Sequence, residues 1–222
     1  YISNIYRVND SHKGRFNEFT QGGIEIIGTS SVKADIEVIV TAIKVLNNLG
    51  YEGFKLEIGH SGFYDAITRG LNLSDDENVE FKEVLGNKNT IGVKNFLDLR
   101  KESLSENQYR VLIALSSAFG DFKVLKDIEK DIDDDIAKEA LRELKEIYKY
   151  IDKLGFSKYL TLDLGMVQDI NYYTGLIIKG YVEGVGQIVL SGGRYDKLYS
   201  EFGKDLHSTG MALNIDLLCG LI

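Results

Sequence analysis

There is no proline in these 222 residues, although average usage of about 5% would place about eleven in a chain this long. The single cysteine, Cys219, lies in an apolar stretch near the end, which excludes a disulfide framework and a cysteine-ligated metal site. Histidine is scarce as well: His12, His60 and His207 come without the partners that a metal ion requires. No apolar run approaches the ~18 residues of a membrane span, and no signal peptide opens the chain. Cations are outnumbered, with 26 Lys and Arg against 34 Asp and Glu and a net charge of −8. Phosphate binding rests on clustered Lys and Arg, so this balance argues against a nucleic-acid partner. These absences together read as a cytoplasmic protein with no membrane and no nucleic acid to bind. The missing prolines, and a first residue Tyr1 already in strand-like sequence, are what a fragment of a longer protein would show.

What is present is ordinary for a folded chain: 44% hydrophobic and 27% charged residues, and length enough for one domain with a substantial core. Tyr1–Arg7 predicts a strand, followed by a polar loop over 8–18. The alternation in Phe19–Gly28 predicts a second strand, with Ile24 and Ile26 on one face and Gln21 and Glu25 on the other. A carboxamide beside a carboxylate suits a polar pocket for an ammonium or imidazole, because a buried acid is costly unless paired. The same pattern suits the wet side of an edge strand, and alternation alone leaves both open.

Ser31–Leu49 has the periodicity of an amphipathic helix, with Gly50 as its stop. Phe54–Ile58 predicts a strand leading to His60, read as a hydrogen-bonded structural histidine. From 71 to 155 the chain turns charged and helical. Ser105-x-x-Gln108 is a capping box, and Ile136–Leu154 carries one apolar stripe. The acidic run Glu129–Asp135 suits the start of that helix and lacks the spacing of a calcium loop. Beyond 155 the pattern predicts a strand at Leu160–Leu164, a polar turn, and a second strand over Tyr172–Tyr181. Gln187–Ser191 follows as another strand after a turn at Gly184 and Gly186. Gly192 and Gly193 then precede a predicted helix reaching Phe202, and paired glycines before a helix let backbone approach a ligand closely.

Several stretches carry a family resemblance. Thr161–Gly175, TLDLGMVQDINYYTG, is similar to the second histidine-specific signature of histidyl-tRNA synthetases, G-[LM]-V-R-G-[LI]-D-Y-Y-T-G, with Gln168 at its arginine and Asn171 at its aspartate. Tyr6–Gly28 resembles motif 2 of that family. Arg7, Arg15, Phe19, Gln21, Gly23, Glu25 and Gly28 match, while Asn9, Ser11 and Asn17 replace a glutamate, a proline and an arginine. Ser191–Asp196, SGGRYD, matches a third stretch. Residues 209–222 resemble motif 3, with Asn214 at its glycine and Leu217 at its arginine. The layout of 71–155 resembles the same region in the regulatory subunits of ATP phosphoribosyltransferase, paralogues of the synthetases in histidine biosynthesis.

This resemblance implies an α+β fold of the class II aminoacyl-tRNA synthetase type, a mainly antiparallel sheet flanked by helices. It further implies two parts of one domain, 1–70 and 156–222, around a helical insertion at 71–155, with the first motif lying upstream of Tyr1. By the same analogy Gln21, Glu25, Tyr172 and Tyr173 would hold histidine. Arg7, Arg15, Gly192, Gly193 and Arg194 would form a vestigial nucleotide site. Asn17, Gln168 and Leu217 would mark three catalytic charges lost. Removing one preorganised group can cost about 10²–10³ in rate, so the expectation is a non-catalytic regulatory subunit with no metal and no cofactor. Its implied partners are a short-form catalytic subunit, a second copy within a hetero-oligomer, and L-histidine as effector. The alternatives are a divergent histidyl-tRNA synthetase core and a free-standing histidine-binding module.

Overall fold

The computed structural model describes residues 1–7, 17–167 and 172–220. The strands are β1 (Ile2–Tyr6), β2 (Glu18–Ile27), β3 (Phe54–His60), β4 (Phe119–Gly120), β5 (Leu160–Asp163), β6 (Leu176–Val182), β7 (Leu190–Arg194) and β8 (Ser208–Asn214). They form one sheet in the order β1-β2-β8-β7-β6-β3-β5-β4. Its pairings are antiparallel except that of β3 with β5. The helices are α1 (Val32–Asn48), α2 (Ser61–Thr68), α3 (Asp75–Gly86), α4 (Thr90–Asp98), α5 (Glu106–Ala114), α6 (Lys123–Glu129), α7 (Asp135–Lys153) and α8 (Ile215–Cys219). None of the described helices is long and apolar enough to cross a membrane.

Local chemistry explains the helix ends. Ser31 opens α1 by accepting from the Lys33 amide, and Gly50 follows its last turn with φ +87°, a value that glycine adopts without Cβ strain. Ser105 and Gln108 form the expected capping box on α5. Asp134, at the end of the acidic run, caps α7 by accepting from the Ile136 and Ala137 amides, both at 2.9 Å.

The apolar stripe of α7 (Ala137, Ala140, Leu141, Leu144, Ile147, Ile151) is buried. With Ile39, Ala42, Ile43 and Leu46 of α1 it covers one face of the sheet, meeting Leu56, Ile58, Ile178, Leu190 and Met211 in a continuous core. The core extends through Phe81, Leu85, Phe96 and Leu97 of α3 and α4, where the Phe81 and Phe96 rings lie 4.9 Å apart. Ile24 and Ile26 pack on this core, as their alternation implied.

The elements depart from the sequence reading at three places. Residues 71–155 are mainly helical but also supply β4, whose Phe119 pairs with Asp163 at the sheet edge; two residues are too few to show alternation. The strand expected from Tyr172 begins at Leu176. Gly192 and Gly193 lie inside β7 and not ahead of a helix, and only a 3-10 turn spans Leu198–Phe202. A Cβ at Gly192 would strike the Gly210 carbonyl, and one at Gly193 the Leu176 carbonyl. These glycines let neighbouring strands close up, which is the usual meaning of glycine within a sheet.

Candidate functional site on the open face of the sheet

Side chains directly opposite each other on paired strands share a face. The register therefore places Glu25, Gly210, Gly193, Ile177 and Gly59 in one row across β2, β8, β7, β6 and β3. The next row holds Gly23, Ala212, Ser191, Lys179 and Glu57. Both rows lie on the face away from α1 and α7, where glycine and alanine leave a floor with little side-chain cover.

On this floor stands a group of phenols and one carboxylate. The Tyr195 hydroxyl donates to Glu25. The Tyr172 ring meets Tyr195 edge-on with centroids 6.0 Å apart and lies 4.5 Å from the Tyr173 ring. Tyr173 in turn covers Gly193, where a Cβ would come within 2.8 Å of its ring. Gln21 is buried; its Nε2 donates to the Tyr1 hydroxyl at 2.5 Å, and its Oε1 accepts from Arg7 at 3.4 Å. Arg7 also lies 5.4 Å from the centre of the Phe19 ring.

Burial pushes the Glu25 carboxyl above its ordinary range. Burial and the hydrogen bond with Tyr172 raise Tyr173 well above a free phenol, so at neutral pH its hydroxyl stays protonated and can donate. A carboxylate among neutral phenols over a glycine floor is suited to an ammonium or an imidazole N–H.

Gln21, Glu25, Tyr172, Tyr173 and Arg7 thus share one face. Arg15 and Gln168 lie outside the described residues. The Asn17 carbonyl accepts from the Arg7 amide at 2.8 Å. Leu217, at the position of the motif 3 arginine, packs its side chain on the core while its amide donates to the helix-capping Asn214.

Arg194 is elsewhere. One residue along β7 from Gly193, it points to the helix-covered face, where it is 5% exposed. Its guanidinium donates to Asp35 at 3.0 Å, Asp196 at 3.1 Å and the Thr29 and Ser31 carbonyls. All of its charge is engaged in fastening α1 to β7. Arg194 is thus turned away from the open face, whereas its neighbour Gly193 lies on that face beneath Tyr173. His60 also lies on the covered side and pairs with Glu143 of α7 at 3.0 Å, the hydrogen-bonded role expected of it.

Tyr195 is the site residue that the sequence reading missed. It was legible as the residue after Arg194, which alternation turns to the opposite face. Among the described residues no group of His, Cys, Asp or Glu is placed to hold a metal ion.

The family model described as Histidyl-tRNA synthetase matches residues 1–218. The ATP phosphoribosyltransferase regulatory subunit of Clostridium novyi (strain NT) is 46% identical over 216 residues, covering 97% of this chain and 51% of that protein. The crystal structure of an ATP phosphoribosyltransferase regulatory subunit/histidyl-tRNA synthetase from Bacillus halodurans C superposes with a TM-score of 0.86 at 33% identity, covering 98% of this chain and 56% of the other. A chain of the ATP phosphoribosyl transferase complex from Thermotoga maritima has the same fold, with a TM-score of 0.72 at 19% identity over 96% of this chain and 71% of that one. The chain spans about half the length of the curated relatives it matches.

Proposed function

The chain belongs to the histidyl-tRNA synthetase family, and from that premise we propose that it is the synthetase-like part of an ATP phosphoribosyltransferase regulatory subunit. In this reading it catalyses nothing itself and activates a short catalytic subunit, in a cytoplasmic hetero-oligomer that contains a second copy of it. L-histidine is the effector, held on the open face by Glu25, Gln21, Tyr172 and Tyr173.

The observation that carries this is Leu217. Amino-acid activation needs fixed positive charge on the transferring phosphates. At the motif 3 position the side chain is apolar and packed on the core, so a rotamer change cannot restore a cation. The Gln21–Glu25 side keeps its polar groups on one face beside the tyrosines. Retention of amino-acid chemistry without phosphate chemistry is what a sensor requires. The relatives named as regulatory subunits, at 42–46% identity, support the same reading.

The test is histidine-dependent exchange of pyrophosphate into ATP by the full-length protein. No exchange above background is expected. Exchange at the rate of a synthetase would overturn the proposal.

A further inference from the structure

Tyr1 belongs to the same open face. The antiparallel register of β1 on β2 carries it opposite Gly23, whose amide donates to the Tyr1 carbonyl at 2.9 Å. Its side chain therefore shares the face of Gln21 and Glu25. Because Gly23 has no side chain, the phenol lies across the floor between them: a Cβ there would come within 2.7 Å of the ring and of its hydroxyl. Tyr1 is 56% exposed, so its outer side is open to a ligand.

The hydrogen bonds around Gln21 decide which groups are left for that ligand. Arg7 can only donate, so the end of Gln21 that it meets at 3.4 Å is the carbonyl oxygen, and the end that meets the Tyr1 hydroxyl at 2.5 Å is the NH2 group. That NH2 group can only donate in its turn. The Tyr1 hydroxyl is therefore the acceptor, and among the described residues none accepts its own proton. The site is thus polarised along β2. Glu25 offers a carboxylate at one end. At the other stands a free hydroxyl donor, with the Arg7 guanidinium on the opposite end of the same carboxamide. The hydroxyl lies over Gly23, one side-chain step of about 7 Å along the strand from Glu25. A single amino acid spans that distance between its carboxylate and the far end of its side chain.

We propose that the Tyr1 hydroxyl recognises the carboxylate of the ligand held at Glu25, so that the site selects an amino acid over the amine that lacks the carboxylate. The proposal rests on the reading that histidine binds at Glu25. A donor hydroxyl close to a guanidinium suits an anion, since hydrogen bonds to a carboxylate are the stronger kind. The competing account is that Tyr1 only covers Gly23, as aromatic residues do for glycine in sheets. A ring without its hydroxyl would serve that purpose equally well, and the two accounts separate on this point.

L-Histidine and histamine, which keeps the ammonium and the imidazole but has no carboxylate, are titrated calorimetrically into the full-length protein and its variants. Tyr1→Phe should weaken L-histidine about tenfold, as for loss of a hydrogen bond to a charged group, and change histamine by less than about twofold. Gly23→Ala, whose added methyl group meets the phenol, should show the same selective loss. Glu25→Gln should weaken both ligands. Melting by circular dichroism establishes that each variant folds. L-Histidine binding unchanged by Tyr1→Phe, or both ligands weakened alike, overturns the proposal while leaving histidine at Glu25. Binding that Glu25→Gln does not weaken, or no binding to the wild-type protein, overturns the reading at Glu25 and this proposal with it.

Discussion

Burial holds the carboxyl groups of Glu25 and Glu57 above the ordinary glutamate range, and the consequence is a pH dependence of stability. The native protein binds these protons more tightly than the unfolded chain does. The stability they contribute is therefore present below the unfolded value of about 4.3 and is lost as pH rises through the folded values. Glu57→Gln should accordingly melt at a higher temperature than wild type at pH 7 and at the same temperature at pH 4. Because Glu57 is half exposed, the gain should stay below about 1 kcal/mol, and a variant less stable at pH 7 would contradict this assignment. Glu143 behaves in the opposite sense: its hydrogen bond with His60 lowers its carboxyl below the ordinary range, so its contribution is present above about pH 4.3 and is lost as pH falls through the lowered value. At Glu25 the same substitution should weaken L-histidine binding by the full-length protein about ten- to a hundred-fold, read by calorimetry; equal binding would place the effector elsewhere. Much of this was legible in the sequence. Strand alternation put Gln21 and Glu25 on one face without any knowledge of the fold. Glu57 was not legible, because its environment comes from Asp163, more than a hundred residues away in sequence, and from helices packed above it.

At the scale of elements, the joint between α1 and β7 rests on a buried ion pair. Asp35 is 1% exposed and Arg194 is 5% exposed. Removing one partner of such a pair strands the other charge, at a cost of about 3–5 kcal/mol. Arg194→Met should lower the urea midpoint by that equivalent. Arg194→Lys should recover only part of it, since a lysine cannot reach Asp35, Asp196 and two carbonyls in the fixed fork of a guanidinium. A surface-like loss for Arg194→Met would mean that the joint is held by packing alone. Packing has its own probe: Leu144 of α7 is fully buried, and Leu144→Ala should cost about 2–5 kcal/mol in the same titration. Helices were the most legible elements, because Ser31, Ser105 and Asp134 announce their starts and periodicity gives their buried faces. The reading failed at β7, where paired glycines locally signal a loop or helix start. Pairing on both edges of that strand, with β6 and β8, overrode the local signal.

For the whole molecule, one sheet separates two kinds of chemistry. The covered face carries apolar core, the His60–Glu143 pair and the Asp35–Arg194 pair, and it makes the fold. The open face carries glycines, Glu25, Gln21 and the tyrosines, with little side-chain cover over its floor. Family motifs made the architecture legible across nearly the entire chain. They did not reveal which matching residues serve the fold, since Arg194 fits its motif while lying on the covered face. The reading of a regulatory subunit is tested most directly by reconstitution: the full-length protein is mixed with the short catalytic subunit of ATP phosphoribosyltransferase, and condensation of ATP with phosphoribosyl pyrophosphate is followed. The catalytic subunit alone should be nearly inactive, the mixture active, and L-histidine inhibitory in a manner that Glu25→Gln diminishes. A mixture no more active than the catalytic subunit alone would contradict the account.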